Sequence, residues 1–460
     1  MRPVSKVVKV KLLDIAPKFR KFGPSEILAI SGILTIKSAS FQVMLKSLSK
    51  SLVKNFHKEA TARGHASLLT SPNLYFWLEG SRVLDFYFTS FPFGSYIMLS
   101  SRRLEIKFKN MVIPDSILKS RFSKKYERIC KEMVRFYAEE MKKVGADKAR
   151  KILPIGFISR GFFNFPLQLL IGSLKEVENE NIPKEIQLIL AKIERKIKKI
   201  GEVYEAAKSL PYDTTYPHPN LFSEKKLEVR KFKLKILSKE KFKPVKIRIL
   251  PEEKKIRKNC KLWKEFVNSV QNNLIVKIET RVSLAAWNEI KRHRTVRQDV
   301  ESIYKAAESC LKNERLIHIP KGVNKKRFLE ICSEALSLYE DMVENGIEKR
   351  DAIYILPHAI TLGTTLILNG YHLFDPFGFL GVRSCPTSDY ELNELSQKIM
   401  DGICKKIRGI KDLLGPKCKI GFCPERNFCA NIFKFVKNYN LNLHKKLQAQ
   451  LLQSKFFAHV

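Results

Sequence analysis

Acidic residues are scarce in this sequence: 46 Asp and Glu stand against 85 Lys and Arg, leaving a formal charge of +39. An excess of that size makes a polyanionic partner one of two leading readings. It attracts nucleic acid, anionic membrane or phosphorylated small molecules. A lysine-rich surface on a heat-adapted protein accounts for the same excess, so charge alone does not choose a partner. Also missing are a Walker A loop, a GxGxxG turn and any nucleophile–base pattern at a recognised spacing. Phosphate-loop, dinucleotide-fold and triad chemistries therefore have no support. The opening MRPVSKVVKVKLLDI lacks the long apolar run and small-residue cleavage site of a secretory signal. Five of the nine cysteines stand singly (Cys130, Cys260, Cys310, Cys332 and Cys404). Mostly reduced thiols in a cytoplasmic protein are the expectation. Long uncharged runs are few. From Ala352 to Phe374 there is no Lys, Arg, Asp or Glu, a length that can span a bilayer. Pro357, Gly363, Asn369, Gly370 and two histidines interrupt it, and the composition favours a buried helix in a large core over a membrane segment.

What is present supports a sizeable core. The chain has 460 residues, 44% of them hydrophobic, which suits two or three domains rather than disorder. VVKVKLLDI alternates like a strand, and Pro24-Ser25-Glu26 reads as a helix start. Apolar residues recur at helical spacing over 41–62, and 182–210 reads as one helix despite Gly201. Lys124 to Gly145 is an amphipathic helix stopped by glycine. PYDTTYPHPNL, residues 211–221, is the best domain boundary. The lysine-rich alternation that follows it reads as strands with one wet face. Beyond that boundary an order recurs. A helix (Arg327 to Gly346), a glycine, a charged step and Leu-Pro repeat the earlier sequence of YERICKEMVRFYAEEMKKVG and ADKARKILP. Self-similarity at a domain-sized period points to tandem duplication, with units 1–215 and 216–460.

The stretch KRHRTVRQDVESIY, Lys291 to Tyr304, is the most specific motif. Thr295 with Gln298 makes a capping-box pattern, and Val296, Val300, Ile303, Ala307 and Cys310 share one helical face. The expected helix begins at Thr295, with Arg292, His293 and Arg294 just outside its N-terminus. Free N–H groups and guanidiniums there suit a phosphate. Carboxylates elsewhere in the fold would satisfy the same arginines equally well.

These residues resemble the flavin-dependent thymidylate synthase family. Arg292-His293-Arg294-Thr295 followed by Ser302 is similar to its Arg-His-Arg signature, ARKILP and DAIYILP to its Ala-Arg-x-x-Leu-Pro step, GHASL to its Gly-His-x-Ser element, and LEGSR to its Ile-Glu-Gly-x-Ser-Arg strand. The resemblance implies an α/β (α+β) fold of two related units, each a small mixed sheet packed with long helices. It implies FAD as cofactor, NADPH and methylene-tetrahydrofolate as co-substrates, and reductive methylation of dUMP to dTMP. Arg292, His293, Arg294 and His65 would meet flavin; Ser95, Ser100, Arg102 and Ser302 would hold dUMP. Family sites form between subunits of a tetramer, so a duplicated chain is expected to form a homodimer acting as a pseudo-tetramer.

Each half departs from the pattern differently. The second half has Arg297, Asp299 and Tyr304 where the family has Ser, Asn and Arg, and SDYELNE keeps Glu391 and Leu392 but has Asn393 in place of arginine. The first half reads Ser90-Phe91-Pro92 where RHR belongs, yet keeps Ser95, Ser100 and Arg102. A fused pair would thus assemble one site from both halves. The competing class is an inactive relative that binds nucleic acid or serves as a scaffold. Cys385, Cys418, Cys423 and Cys429 remain outside the resemblance. Their spacing is looser than CxxC pairs, so metal, disulfides and reduced thiols all stay open, with no metal assigned.

Overall fold

The structure is a computed structural model that describes residues 1–445 except 103, 211–215, 240–241, 243, 245–246, 248–255, 426–428, 437–438 and 443–444. Most of the segment 239–255, part of the expected lysine-rich strands, lies outside the described residues. The chain folds into two compact units. The first holds Met1–Lys226, Ser283–Arg294 and Val300–Leu362; the second holds Leu227–Val282, Thr295–Asp299 and Gly363–Val460. These packing units are not the sequence repeats, since much of the second repeat packs with the first unit. The repeat division at 215/216 concerns ancestry of the sequence and stays a proposal.

The first unit is built on four strands: β1 (Lys9–Ala16), β2 (Asn73–Ser81), β3 (Ser95–Met98) and β4 (Ile158–Pro166). They lie in the order β1-β2-β4-β3, antiparallel throughout. Period-two alternation makes the sheet one-sided: Leu74, Phe76 and Leu78 of β2 are buried, while Trp77 is exposed. The second unit carries β5 (Lys233–Ser238), β6 (Ile275–Ser283), β7 (Arg297–Val300) and β8 (Thr361–Asn369). Their order is β5-β6-β8-β7, the same topology strand for strand, as a duplication requires.

Helices follow the same correspondence. β2 runs into α1 (Arg82–Phe88), whose N-cap Ser81 accepts from the Val83 N–H; β6 runs into α2 (Leu284–Ile290), capped by Ser283 through the Ala286 N–H. The long helices α3 (Ser123–Val144) and α4 (Lys325–Glu344) are followed by Gly145 and Gly346, with φ of 81° and 84°. Both stops were legible, because glycine enters the left-handed region without steric cost. α3 and α4 pack together in the first unit: Phe136 meets Phe328 edge-on at 5.8 Å, and Arg327 bridges Glu132 at 2.7 Å and Glu139 at 2.5 Å.

Four local expectations are corrected. Residues 352–374 are not one buried helix: they form a turn of 3-10 helix, β8 and the short helix Gly370–Phe374. The Thr-Leu-Gly-Thr-Thr-Leu-Ile-Leu run is strand-forming, and Asn369 caps the helix after it. Among the described residues no helix is long and apolar enough to cross a membrane. The 182–210 segment is two helices, Lys184–Ile197 and Glu202–Lys208, divided at Gly201 with φ 84°. The 41–62 segment also breaks, at Ser49, which caps Lys50–Glu59. Finally, no helix starts at Thr295. Residues 297–300 are β7, and the helix begins at Ile303. Pairing at a sheet edge outweighs a capping pattern worth about 1 kcal/mol.

Candidate functional site

The two Leu-Pro steps meet inside the first unit. Ile155 N–H donates to Leu356 O (2.9 Å), Gly156 N–H to Tyr354 O (2.9 Å), and His358 N–H to Leu153 O (3.0 Å). Corresponding segments of the two repeats therefore pair about a local pseudo-twofold. The helices α1 and α2 obey the same relation. Counted from their caps, Asp85 corresponds to Trp287 and Phe86 to Asn288. Asp85 is bonded to Asn288 (3.2 Å), and Phe86 stacks on Trp287 (6.3 Å between centroids).

That junction concentrates charge. Asp85 is completely buried. Its Oδ2 lies 2.8 Å from Arg82 Nη1 and 3.8 Å from Arg292 Nη2, and its Oδ1 accepts from Thr89 Oγ1 at 3.1 Å. Lys291 Nζ donates to the Asp85 backbone carbonyl at 2.7 Å, and its ammonium lies over the Phe86 and Trp287 rings. Burial works to raise the Asp85 pKa, but Arg82, Lys291 and Arg292 outweigh it and hold the carboxyl well below its usual range. Burial lowers Lys291 strongly, against the pull of Asp85. Arg82, Lys291 and Arg292 face Asp85, with the Glu289 carboxylate acting on the same groups, and the outermost of the cations, Arg292, reaches the surface with its side chain 38% exposed.

The motif residues divide around this junction. Arg294 donates to the carbonyl of Gly94, next to Ser95, and its guanidinium sits over the Tyr96 ring at 5.1 Å. So RHR of the second repeat lies beside the first residue of β3 from the first repeat. His293 is half-buried, its N–H bonded to Ile290 O. Ser100 is half-buried, and the segment around it joins the same network. Leu99 O accepts from Arg82 Nη1 (3.3 Å), Ser101 Oγ from Arg150 Nη1 (3.5 Å), and Arg102 pairs with Asp147 (2.8 Å). Asp147 also pairs with Arg150 at 3.3 Å. Two expected residues lie elsewhere. His65 is exposed at the start of the short helix Ala66–Thr70. Ser302 is buried and accepts from the Tyr304 N–H as the N-cap of Ile303–Lys312, so its hydroxyl has a structural duty.

Sequence reasoning placed Arg82 only within a strand motif, included Lys291 only as the first basic residue of the motif, and missed Asp85 and Asn288. The available signal was a lone aspartate in the apolar run VLDFYF, three residues after an arginine. It also missed Glu185, which is buried and accepts from the Ser81 N–H (2.5 Å), Ser81 Oγ (2.6 Å) and Tyr354 Oη (2.6 Å). Burial raises its pKa against those hydrogen bonds.

A pocket for an anionic, polar group needs unsatisfied donors and acceptors as well as charge. Arg82 Nε and Asn288 Oδ1 are buried without a hydrogen-bond partner. Asn288 Oδ1 is an acceptor and offers nothing to a phosphate; Arg292, exposed at the edge of the junction, is the group placed to meet an anion.

Comparison with known proteins follows the same lines. The family model described as thymidylate synthase complementing protein (Thy1) matches residues 21–201 and 229–407. A flavin-dependent thymidylate synthase of Pyrococcus furiosus is 28% identical over 160 residues, 32% of this chain and 64% of that protein. One from Thermococcus onnurineus is 30% identical over 135 residues, 28% of this chain and 50% of that protein. The chain thus spans less than two thirds of the length of these curated relatives. Among solved structures, a UMP/dUMP methylase, PolB from Streptomyces cacaoi bound with 5-Br dUMP, has a TM-score of 0.36 and 15% identity, covering 46% of this chain and 98% of that one.

Proposed function

We propose that this chain, which belongs to the thymidylate synthase complementing protein family, binds FAD and dUMP at a single site assembled from both repeats and makes dTMP. The observation that carries the reading is the junction of Arg292 and Arg294 with Asp85 and with Gly94 beside Ser95. What each repeat lost, the other would supply. Arg292 and Arg294 would hold phosphate, His293 would line the flavin, and Ser95, Ser100 and Arg102 would bind the nucleotide. When bound, FAD would pass on the hydride from NADPH that reduces a methylene group taken from methylene-tetrahydrofolate. The chain's own residues bind, orient and neutralise charge. His65 enters the proposal only through the resemblance.

The pseudo-twofold between repeats supports a homodimer acting as a pseudo-tetramer, because two paired repeats in one chain stand where two subunits of a relative would. A specific observation favours a second reading, an inactive binding protein: Arg294 already donates to a backbone carbonyl of its own chain. Purification, addition of FAD and removal of the excess decide between them. The enzyme retains flavin absorbance and releases the pyrimidine ring hydrogen of tritiated dUMP in the presence of NADPH and methylene-tetrahydrofolate. Protein that stays colourless, releases no tritium and binds RNA in a salt-dependent way is the inactive relative.

A further inference from the structure

The second unit ends in a segment with little to hold it together. After the helix Tyr390–Lys406, the regular structure over 407–440 is three short turns of 3-10 helix among the described residues: Lys411–Leu413, Lys417–Ile420 and Ala430–Lys434. One small cluster serves this region as a core, made of Cys418, Cys423, Ile432, Val436 and Tyr439 with Phe422 and Phe435 against it. Ile410, Leu413, Leu414 and Ile420 are buried there as well, but the segment has little regular structure, and short irregular segments are commonly held by a disulfide or a metal.

Four of the nine cysteines meet here. Cys385, Cys418, Cys423 and Cys429 come from separate turns and line one cavity of about 10 Å³, room for a single water-sized sphere. Cys385, Cys418 and Cys423 are buried, Cys429 is half-buried, and all four are free thiols. Outer contacts of the kind that orient metal ligands are also present: Thr387 Oγ1 lies 3.2 Å from Cys385 Sγ, and the Cys423 N–H donates to Tyr439 Oη at 3.3 Å. Lys417 and Lys419 flank Cys418 in the chain; Lys417 pairs with Glu425, and the buried Lys419 donates to Leu413 O at 3.1 Å.

We propose that Cys385, Cys418, Cys423 and Cys429 form a four-thiolate site for a single zinc-class ion that staples the C-terminal segment. Four sulfur ligands select a soft or borderline metal, and a site with no open position is structural rather than catalytic. Among the described residues no three His, Cys, Asp or Glu side chains stand as placed in a metal-holding group. The proposal requires the thiols to close on the ion as it binds, each releasing one proton as its sulfur bonds the metal. The flavin-dependent reading plays no part in this site.

Elemental analysis of the purified full chain, grown with both zinc and iron, tests it without any substitution. The expected result is about one zinc per chain, released by mercurial titration of the thiols. Cys429→Ser, at the half-buried edge, should lose the metal while flavin binding persists, and Cys260→Ser, outside the cavity, should keep it. Metal-free protein, with the four thiols freely reactive or joined as disulfides by mass spectrometry, overturns the site. Iron with acid-labile sulfide in place of zinc overturns the single-ion assignment. Metal retained equally by both variants overturns the ligand set.

Discussion

Asp85 and Asn288, one from each repeat, are hydrogen-bonded at 3.2 Å in the buried junction of α1 and α2. The bond is possible because Arg82, Lys291 and Arg292 surround the carboxylate and offset the cost of burying it. Breaking one partner of such a cluster leaves the others buried and unmatched. Asp85→Ala is expected to destabilise the fold by about 3–5 kcal/mol, read as a shifted urea midpoint. Adding Lys291→Met, which removes one stranded cation, should recover part of that loss.

Arg292 and Arg294 distinguish a bound anion from a purely internal role. Loss of a charge-assisted hydrogen bond costs about 1.5–3 kcal/mol. Arg292→Ala should therefore weaken FAD binding roughly tenfold or more, measured by quenching of flavin fluorescence. Arg135→Ala, an exposed residue paired within α3, should leave it unchanged. Equal FAD affinity in the parent and both variants would show that Arg292 serves only Asp85.

His358 makes stability depend on pH. Burial, and then the Arg82 charge, lower its pKa to about 3. Above about pH 6.5 the ring is neutral whether folded or unfolded. As pH falls below that, the unfolded ring takes a proton that the folded ring refuses until about pH 3. Stability should drop across this window, by up to about 1.4 kcal/mol per pH unit from this one group. Comparing urea midpoints at pH 7 and pH 5 for the parent and His358→Gln tests this. The variant should show the shallower dependence, with the remaining slope coming from His57 and His372, whose pKa values burial also lowers.

Gly156 sits where the Leu-Pro steps pair. A Cβ there would lie 2.8 Å from both Tyr354 O and Tyr126 Oη, and 3.0 Å from Val112 O. Two of these are backbone atoms that cannot move without breaking the pairing. Gly156→Ala is expected to cost about 1–3 kcal/mol and to lower the melting temperature. Gly145→Ala, with open space around its Cβ but φ 81°, separates backbone strain from crowding.

The sequence by itself determined the parts governed by local physics. The glycine stops of α3 and α4, the alternation of β2 and the duplicated order of elements were all legible, because each depends on neighbours within a few residues. The RHR signature and the Ser95–Arg102 tail were legible as types. Tertiary structure alone decided where Arg292 points, because Asp85 lies more than 200 positions earlier in the chain and no periodicity connects them. It also turned Thr295–Val300 from an expected helix start into a sheet edge and gave Ser302 a cap to hold. Local capping and helical spacing are weak preferences that strand pairing outweighs. The four late cysteines show the same division: the sequence displayed them as unpaired letters, and only the fold brought them round one cavity.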